Sequence, residues 1–162
     1  LTGSLTVVTE NPIYIQGDYN TVNKKSAAVI SDAVNLLSNA WDNSKAPGSL
    51  TNAVDTQYNL AMVTGDVPTD DDGVNYSGGF ENLPRFHEYW RNRSATIRGS
   101  FIKIFESEYA KGLFYHGGDV YTAPIRDWQY DPDIIPPFSP QVVSLRKVFW
   151  NDNLPLPFGN GI

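Results

Sequence analysis

The stretch LTVVTENPIYIQGDYN, from Leu5 to Asn20, places the tightest constraint on the fold. Leu5 and Val7 alternate with Thr6 and Val8, and Ile13 and Ile15 alternate with Tyr14 and Gln16. Each segment therefore offers one apolar face at a period of two, the signature of a half-buried strand. Thr9-Glu10-Asn11-Pro12 supplies a corner between them, and Gly17-Asp18-Tyr19-Asn20 supplies a second turn. Strand, corner, strand, corner is one coil of a β-solenoid. The same pattern also fits a hairpin or the edge of a meander.

From Ser26 the period changes. Ala27, Ile30, Val34, Leu37 and Trp41 fall on one helical stripe opposite Ser31, Asp32, Asn35, Ser38 and Asn39, which predicts a main amphipathic helix near 26–41. Asn23 is its candidate N-cap, and Pro47-Gly48 would stop it. Tyr58 to Val63 reads as a strand. ENLPRFHEYW predicts a short helix near 83–90, with Pro84 in its first turn. SATIRGSFIKIFES predicts a long strand whose apolar residues switch parity, from Ile97 and Phe101 to Ile102 and Ile104, as a bulge or two-sided burial would require. Short aromatic strands are expected within Leu113–Tyr115 and Asp119–Tyr130, and a last one from Val142 to Trp150. The sum is a β-rich α+β fold, a single domain over 1–150 followed by an extended tail, 151–162.

Twelve basic against eighteen acidic residues give a net charge of −6, which argues against nucleic-acid or anionic-membrane partners, whose sites collect Lys and Arg. The absence of Cys removes disulfides, thiolate chemistry and Cys-type zinc sites. No apolar run approaches the roughly eighteen residues of a membrane span. A charged fraction of 19%, beside abundant Asn, Ser, Thr, Gly and Tyr, leans towards an extracellular surface protein. Leu1 in place of an initiator Met is read as the result of processing or of truncation from a longer precursor.

The constellations that could carry chemistry are incomplete. Asp70-Asp71-Asp72-Gly73 suggests a calcium loop with Glu81 at its twelfth position, yet Val74 and Asn75 occupy places where a ligand and a Gly are needed. His87-Glu88 lacks the second His at i+4 of a zinc helix. The Gly pair in Tyr115-His116-Gly117-Gly118-Asp119 resembles an oxyanion loop, but no G-x-S-x-G elbow accompanies it. Glu106, Glu108, Asp127, Asp131 and Asp133 could pair for glycoside cleavage only if the fold set two carboxyls about 5 to 10 Å apart. No phosphate loop is present. A non-enzymatic protein without catalytic, metal or cofactor residues is therefore expected. Arg85, Arg91, Arg93, Arg98 and Lys103 form a basic band that could meet the Asp66–Asp72 loop of another copy, or simply be a solvated edge. Tyr121, Trp128 and Tyr130 could stack on sugars, giving the alternative of an adhesin-like glycan-binding module. Asn75 and Asn92 begin N-x-S acceptor patterns.

LTVVTENPIYIQGDYN, YSGGFENLPRFHEYW, TIRGSFIKIFES and PIRDWQYDPD together resemble the C-terminal domain of bacterial PilX-type, prepilin-like surface proteins over most of the chain. The resemblance implies a β-rich, solenoid-like body, a cell-surface location and a structural part in a pilus, filament or other appendage. It carries over no functional residue. A hydrophobic N-terminal helix, expected in that family, is not part of these residues, so the expected partners are other copies of the chain or a separate chain carrying such a helix. The expected assembly surface is the open side of Leu5, Val7, Ile13 and Ile15, helped by Leu154, Leu156 and Phe158 of the tail.

Overall fold

The computed structural model describes residues 1–45, 51–66, 83–110 and 122–134. Eight strands run through them: β1 (Leu5–Val8), β2 (Ile13–Gln16), β3 (Ala27–Ser31), β4 (Val34–Leu37), β5 (Thr56–Asp66), β6 (Pro84–Phe86), β7 (Ser94–Glu106) and β8 (Ile125–Tyr130). They form a five-stranded sheet in the order β1-β3-β5-β7-β8 and a three-stranded sheet in the order β2-β4-β6. Every pairing is parallel. A parallel neighbour cannot be reached by a tight hairpin, so the chain must travel round before it pairs again. It does so by turning a corner into the other sheet, and the result is a stack of coils. The bridges Asn52 to Tyr89 and Tyr89 to Thr122, also parallel, add a third line of contact along the stack.

Register places like on like down the interior. Val7 pairs with Val29, Val29 with Met62 and Met62 with Phe101. Tyr58 pairs with Ile97 and Ile97 with Trp128. On the second sheet Ile15 pairs with Leu36 and Leu36 with Phe86. These columns meet in one core with Ala27, Val34, Leu60, Trp90 and Ala95, all fully buried. Each buried Leu, Ile or Met adds about 1.5–3 kcal/mol. Tyr58 keeps its hydroxyl paired by donating to the Leu37 carbonyl at 2.8 Å.

The described residues contain no helix, so the fold they form is all-β and the α+β expectation is corrected. Residues 26–41 form β3, a tight corner and β4, not an amphipathic helix. The stripe was deceptive because both faces of β3 are covered. Ala27 and Val29 point into the core, while Ala28 on the outer face packs against Ala61 and Ile134. Burial on both faces erases the alternation that marks a strand. The corner at Asp32-Ala33 then resets parity, so Val34 and Leu36 enter the core at a spacing that imitates a helical repeat. The helix expected near 83–90 is likewise β6, followed by a bend at Glu88 and an isolated bridge residue at Tyr89. Pro84 opens that strand, a position where a missing N–H is tolerated.

The N-terminal strands stand at 5–8 and 13–16, where the alternation puts them. The long strand with a parity switch is β7, and its register with β5 slips between Thr64 and Gly65, so Ile104 is left out of the ladder. Strands expected within 113–115 and 142–150, and the tail, lie outside the described residues.

Gly99 marks the tightest point of the stack. It pairs with Leu60 at φ +156°, and a Cβ there would lie 1.8 Å from the Leu60 carbonyl oxygen. Gly99→Ala should therefore force β5 and β7 apart and cost about 3 kcal/mol or more. Urea unfolding measures this, and a loss below about 1 kcal/mol would show that the strands move aside freely.

Candidate functional site

Among the described residues the first coil ends the stack, and its two strands each have an outer edge that carries no partner strand. The Leu5 N–H donates to the Ser26 carbonyl and the Thr9 N–H to the Ile30 carbonyl, each at 3.0 Å. The parity of a parallel ladder then turns the backbone groups of Leu5 and Val7 towards β3 and those of Thr6 and Val8 away from it. On β2 the Ile13 N–H bonds the Ala33 carbonyl and the Gly17 N–H bonds the Leu37 carbonyl, so Tyr14 and Gln16 face outwards in the same way. No described strand pairs with either outer edge.

The end of the core is open at the same place. Val7 and Ile13 are only half-buried although they pack on the core, and Leu5 is 40% exposed. Ile15 alone of the four is buried. Val8, on the outer face, is 69% exposed and Tyr14 61%. Thr6 adds a buried hydroxyl with no hydrogen-bond partner among the described residues.

Two later segments return to this end of the molecule and hold its flanks. One follows β7. The buried Asp32 carboxylate accepts the backbone N–H groups of Glu108, Tyr109 (3.1 Å) and Ala110 (2.7 Å), and the Ser107 hydroxyl donates to the Asp32 carbonyl. The Arg85 guanidinium closes the same segment by donating to the Ala110 carbonyl. The other segment follows β8. Lys24 Nζ lies 2.5 Å from Asp131 Oδ2, and Ile134 packs on Ala28 and Ala61. That hydrogen bond raises the Lys24 pKa. Burial, the largest single influence, would raise the Asp131 pKa, but the bond and charge of Lys24 together with the backbone N–H groups of Asp133 and Ile134 outweigh it and hold the carboxyl below its ordinary value. Both anchors reach the corner or the turn beside the first coil, and neither places a strand on the outer edge of β1 or β2.

A polar row runs from this end along the outside of the second sheet, where Tyr14, Asn35 and Arg85 stand in register. Asn35 donates to the Ile13 carbonyl, and its Oδ1 lies 2.7 Å from His87 Nε2. The amide oxygen thus accepts a hydrogen bond from Nε2–H, and acid can protonate only Nδ1. Burial first, and then the nearby Arg85, push the His87 pKa down. The folded state therefore binds fewer protons than the unfolded one between its own His87 pKa and 6.5. Stability should fall as pH drops below 6.5, then level off beneath the folded value. His87→Gln should flatten that part of a melting-temperature profile, and an unchanged slope would show that His87 does not carry it.

The other residues singled out by sequence are dispersed. Trp128 packs against Phe86 and Phe101, donates its indole N–H to the Ala95 carbonyl, and has the Arg126 guanidinium 5.4 Å from its ring centre. Tyr130 is 69% exposed, and Tyr121 lies outside the described residues. Asp127 pairs with Arg98 at 2.8 Å, a hydrogen bond that lowers its pKa, while Asp131 is bound to Lys24 and Glu106 and Glu108 are exposed. Three of the basic band are engaged within the chain: Arg85 with Ala110, Arg98 with Asp127 and Lys103 with Asp66. Arg91 and Arg93 lie exposed on the turn before β7. Leu154, Leu156 and Phe158, the 70–81 acidic loop and the Gly117-Gly118 turn fall outside the described residues. Among the described residues no group of His, Asp and Glu could hold a metal, and no helix is long and apolar enough to cross a membrane.

Sequence reasoning missed Asp32 and Glu88, both buried acids. Glu88 accepts the Ser38 N–H at 2.6 Å and the Ser38 hydroxyl at 2.7 Å. A single sequence gave little signal for either, since the groups that satisfy them lie 50 or more positions away. Compared with models of known families, with curated proteins and with solved structures, the chain finds no match.

Proposed function

We propose that this protein is a non-enzymatic structural subunit of a bacterial filament, pilus or other surface appendage, and that the first coil is its assembly surface. The observation that carries the reading is the coincidence at one end of outward backbone groups on β1 and β2 with an exposed end of the core. Parallel edges of this kind are templates for another chain unless they are blunted by charge, Pro or a cover. Here the side chains on the edges are Thr6, Val8, Tyr14 and Gln16, none of them charged. The resemblance to PilX-type surface proteins favours the same role and an extracellular location. A lasting contact there should remove about 1,000 Å² or more from water. Electron microscopy of native material tests the proposal. Fibres or appendages labelled by antibody against this chain are expected, and isolated globules alone would overturn it.

A further inference from the structure

We propose that Asn92 is an acceptor for an N-linked sugar, a modification site on the turn that leads into β7. It is separate from the first coil and does not depend on how that coil is used.

Acceptor asparagines lie in Asn-x-Ser/Thr with any residue but Pro between, and Asn92-Arg93-Ser94 meets that requirement. The pattern is common in proteins, so the surroundings decide. A glycan is bulky and hydrated, and it needs a side-chain amide that stands in solvent and is held by nothing else. Arg91, Asn92 and Arg93 are all exposed. The Arg93 N–H donates to the Trp90 carbonyl at 2.8 Å and closes a turn over 90–93. Asn92 is the third residue of that turn at φ +59°, a left-handed conformation that Asn tolerates better than most side chains.

Other asparagines spend their amides inside the molecule. Asn20 has almost the same backbone angle, φ +58°, yet its Nδ2 donates to the carbonyls of Lys25 and Asn59. Asn35 and Asn59 donate to the carbonyls of Ile13 and Asn20, and the Asn39 Oδ1 accepts the Asp18 N–H. The Asn92 side chain makes no hydrogen bond among the described residues. Ser94, the residue that completes the acceptor pattern, is placed in the same way. Its N–H is taken by Asp55 Oδ1 at 2.8 Å, which fixes the start of β7, while its hydroxyl bonds to nothing among the described residues. The pattern therefore sits with both of its reacting partners unspent.

The chemistry is a transfer from a sugar diphosphate, borne on a nucleotide or a lipid and handled by a glycosyltransferase. Asn92 Nδ2 bonds to the anomeric carbon, the bond from that carbon to the diphosphate oxygen breaks and its electron pair leaves with the diphosphate. A base of the transferase takes the Nδ2 proton. The turn is tied to the β8 side of the stack, where the Ile125 N–H donates to the Arg93 carbonyl at 2.8 Å. It pairs with neither β1 nor β2, so the sugar and the first coil are independent features.

Mass spectrometry of the native chain tests the proposal. A Glu-specific protease cutting after Glu88 and Glu106 releases residues 89–106 with Asn92 and Ser94 on one peptide. That peptide should be heavier than its sequence by about 160 Da or more, and fragmentation should place the added mass on Asn92. A peptide found only at its unmodified mass would overturn the site. Ser94→Ala, expressed in the source organism, retains Asn92 and the N–H that Asp55 binds, so it should fold and lose the sugar. Ser94→Thr should keep it. Sugar persisting on Asn92 in the alanine variant would show that the acceptor pattern is not what is read, and the proposal would fall. Unmodified Asn92 in labelled fibres would remove this proposal and leave the appendage reading standing, and a sugar on Asn92 of isolated globules would do the reverse.

Discussion

Asp32→Ala should destabilise the folded chain by about 3–5 kcal/mol, close to the range for breaking a buried charged contact. The carboxylate collects the N–H groups of three successive residues, Glu108 to Ala110, and it is buried against the first corner of β3. Alanine would leave three donors of part-buried bonds without their acceptor, and each costs about 1 kcal/mol or more. Asp32→Asn is the informative partner. It preserves one acceptor oxygen and the shape but loses the charge, so it should cost about half as much. Urea unfolding of the three proteins gives the order. Exchange at Tyr109 and Ala110 should accelerate in both variants before the core amides respond. Equal stability of the alanine variant and the parent would show that segment 107–110 is held by Arg85, the Ser107 hydroxyl and the Ser107 N–H bond to the Asp66 carbonyl without the Asp32 carboxylate.

What the sequence disclosed depended on how many faces of a strand are covered. β1 lies at an edge with one face on the core, so Leu5 and Val7 alternate legibly with Thr6 and Val8. β2 reads as clearly for the same reason. β3, β4 and β5 are buried on nearly every residue, and a pattern with no polar face cannot report its period. The helix assigned to 26–41 is the direct product of that loss, compounded by a two-residue corner that carries an acid. Asp32 looked like a residue of a polar helix face, whereas its carboxylate is satisfied from more than 70 positions downstream. The bulge in β7 was legible because β7 leaves the core part-way along. Ile97 is buried at 1%, but Ile104 is 66% exposed, and the change of environment shows in the residues themselves. Trp128 shows the converse difficulty. A Trp in a polar strand fits a sugar platform as well as a core plug, and only the contacts with Phe86, Phe101 and the Ala95 carbonyl separate the two. The open end was partly readable, since two one-faced strands at a corner imply something to stack against, but which backbone groups are free follows only from the ladder.

Val8→Pro should abolish incorporation into native assemblies while leaving the fold intact, and the reason lies in that ladder. The N–H of Val7 faces β3, so proline at position 7 would remove a bond inside the molecule and confound assembly with folding. The N–H of Val8 points to the open side. Proline there removes a donor that has no acceptor among the described residues, and edge positions of this kind are where sheets accept proline. The change in unfolding free energy should stay below about 1 kcal/mol. An incoming strand would lose one ladder bond and meet the pyrrolidine ring in the plane of pairing, a penalty of about 3 kcal/mol, or roughly a 100-fold drop in affinity. Thr6→Pro should act alike, and Val8→Thr, which retains the N–H and the branched side chain, should assemble normally. The readout is the fraction of chain recovered in sedimenting assemblies or labelled on fibres, set beside urea midpoints for each variant. Val8→Pro incorporated at the parental level with an unchanged midpoint would mean that β1 is not where assembly occurs, and the proposed surface would have to be abandoned.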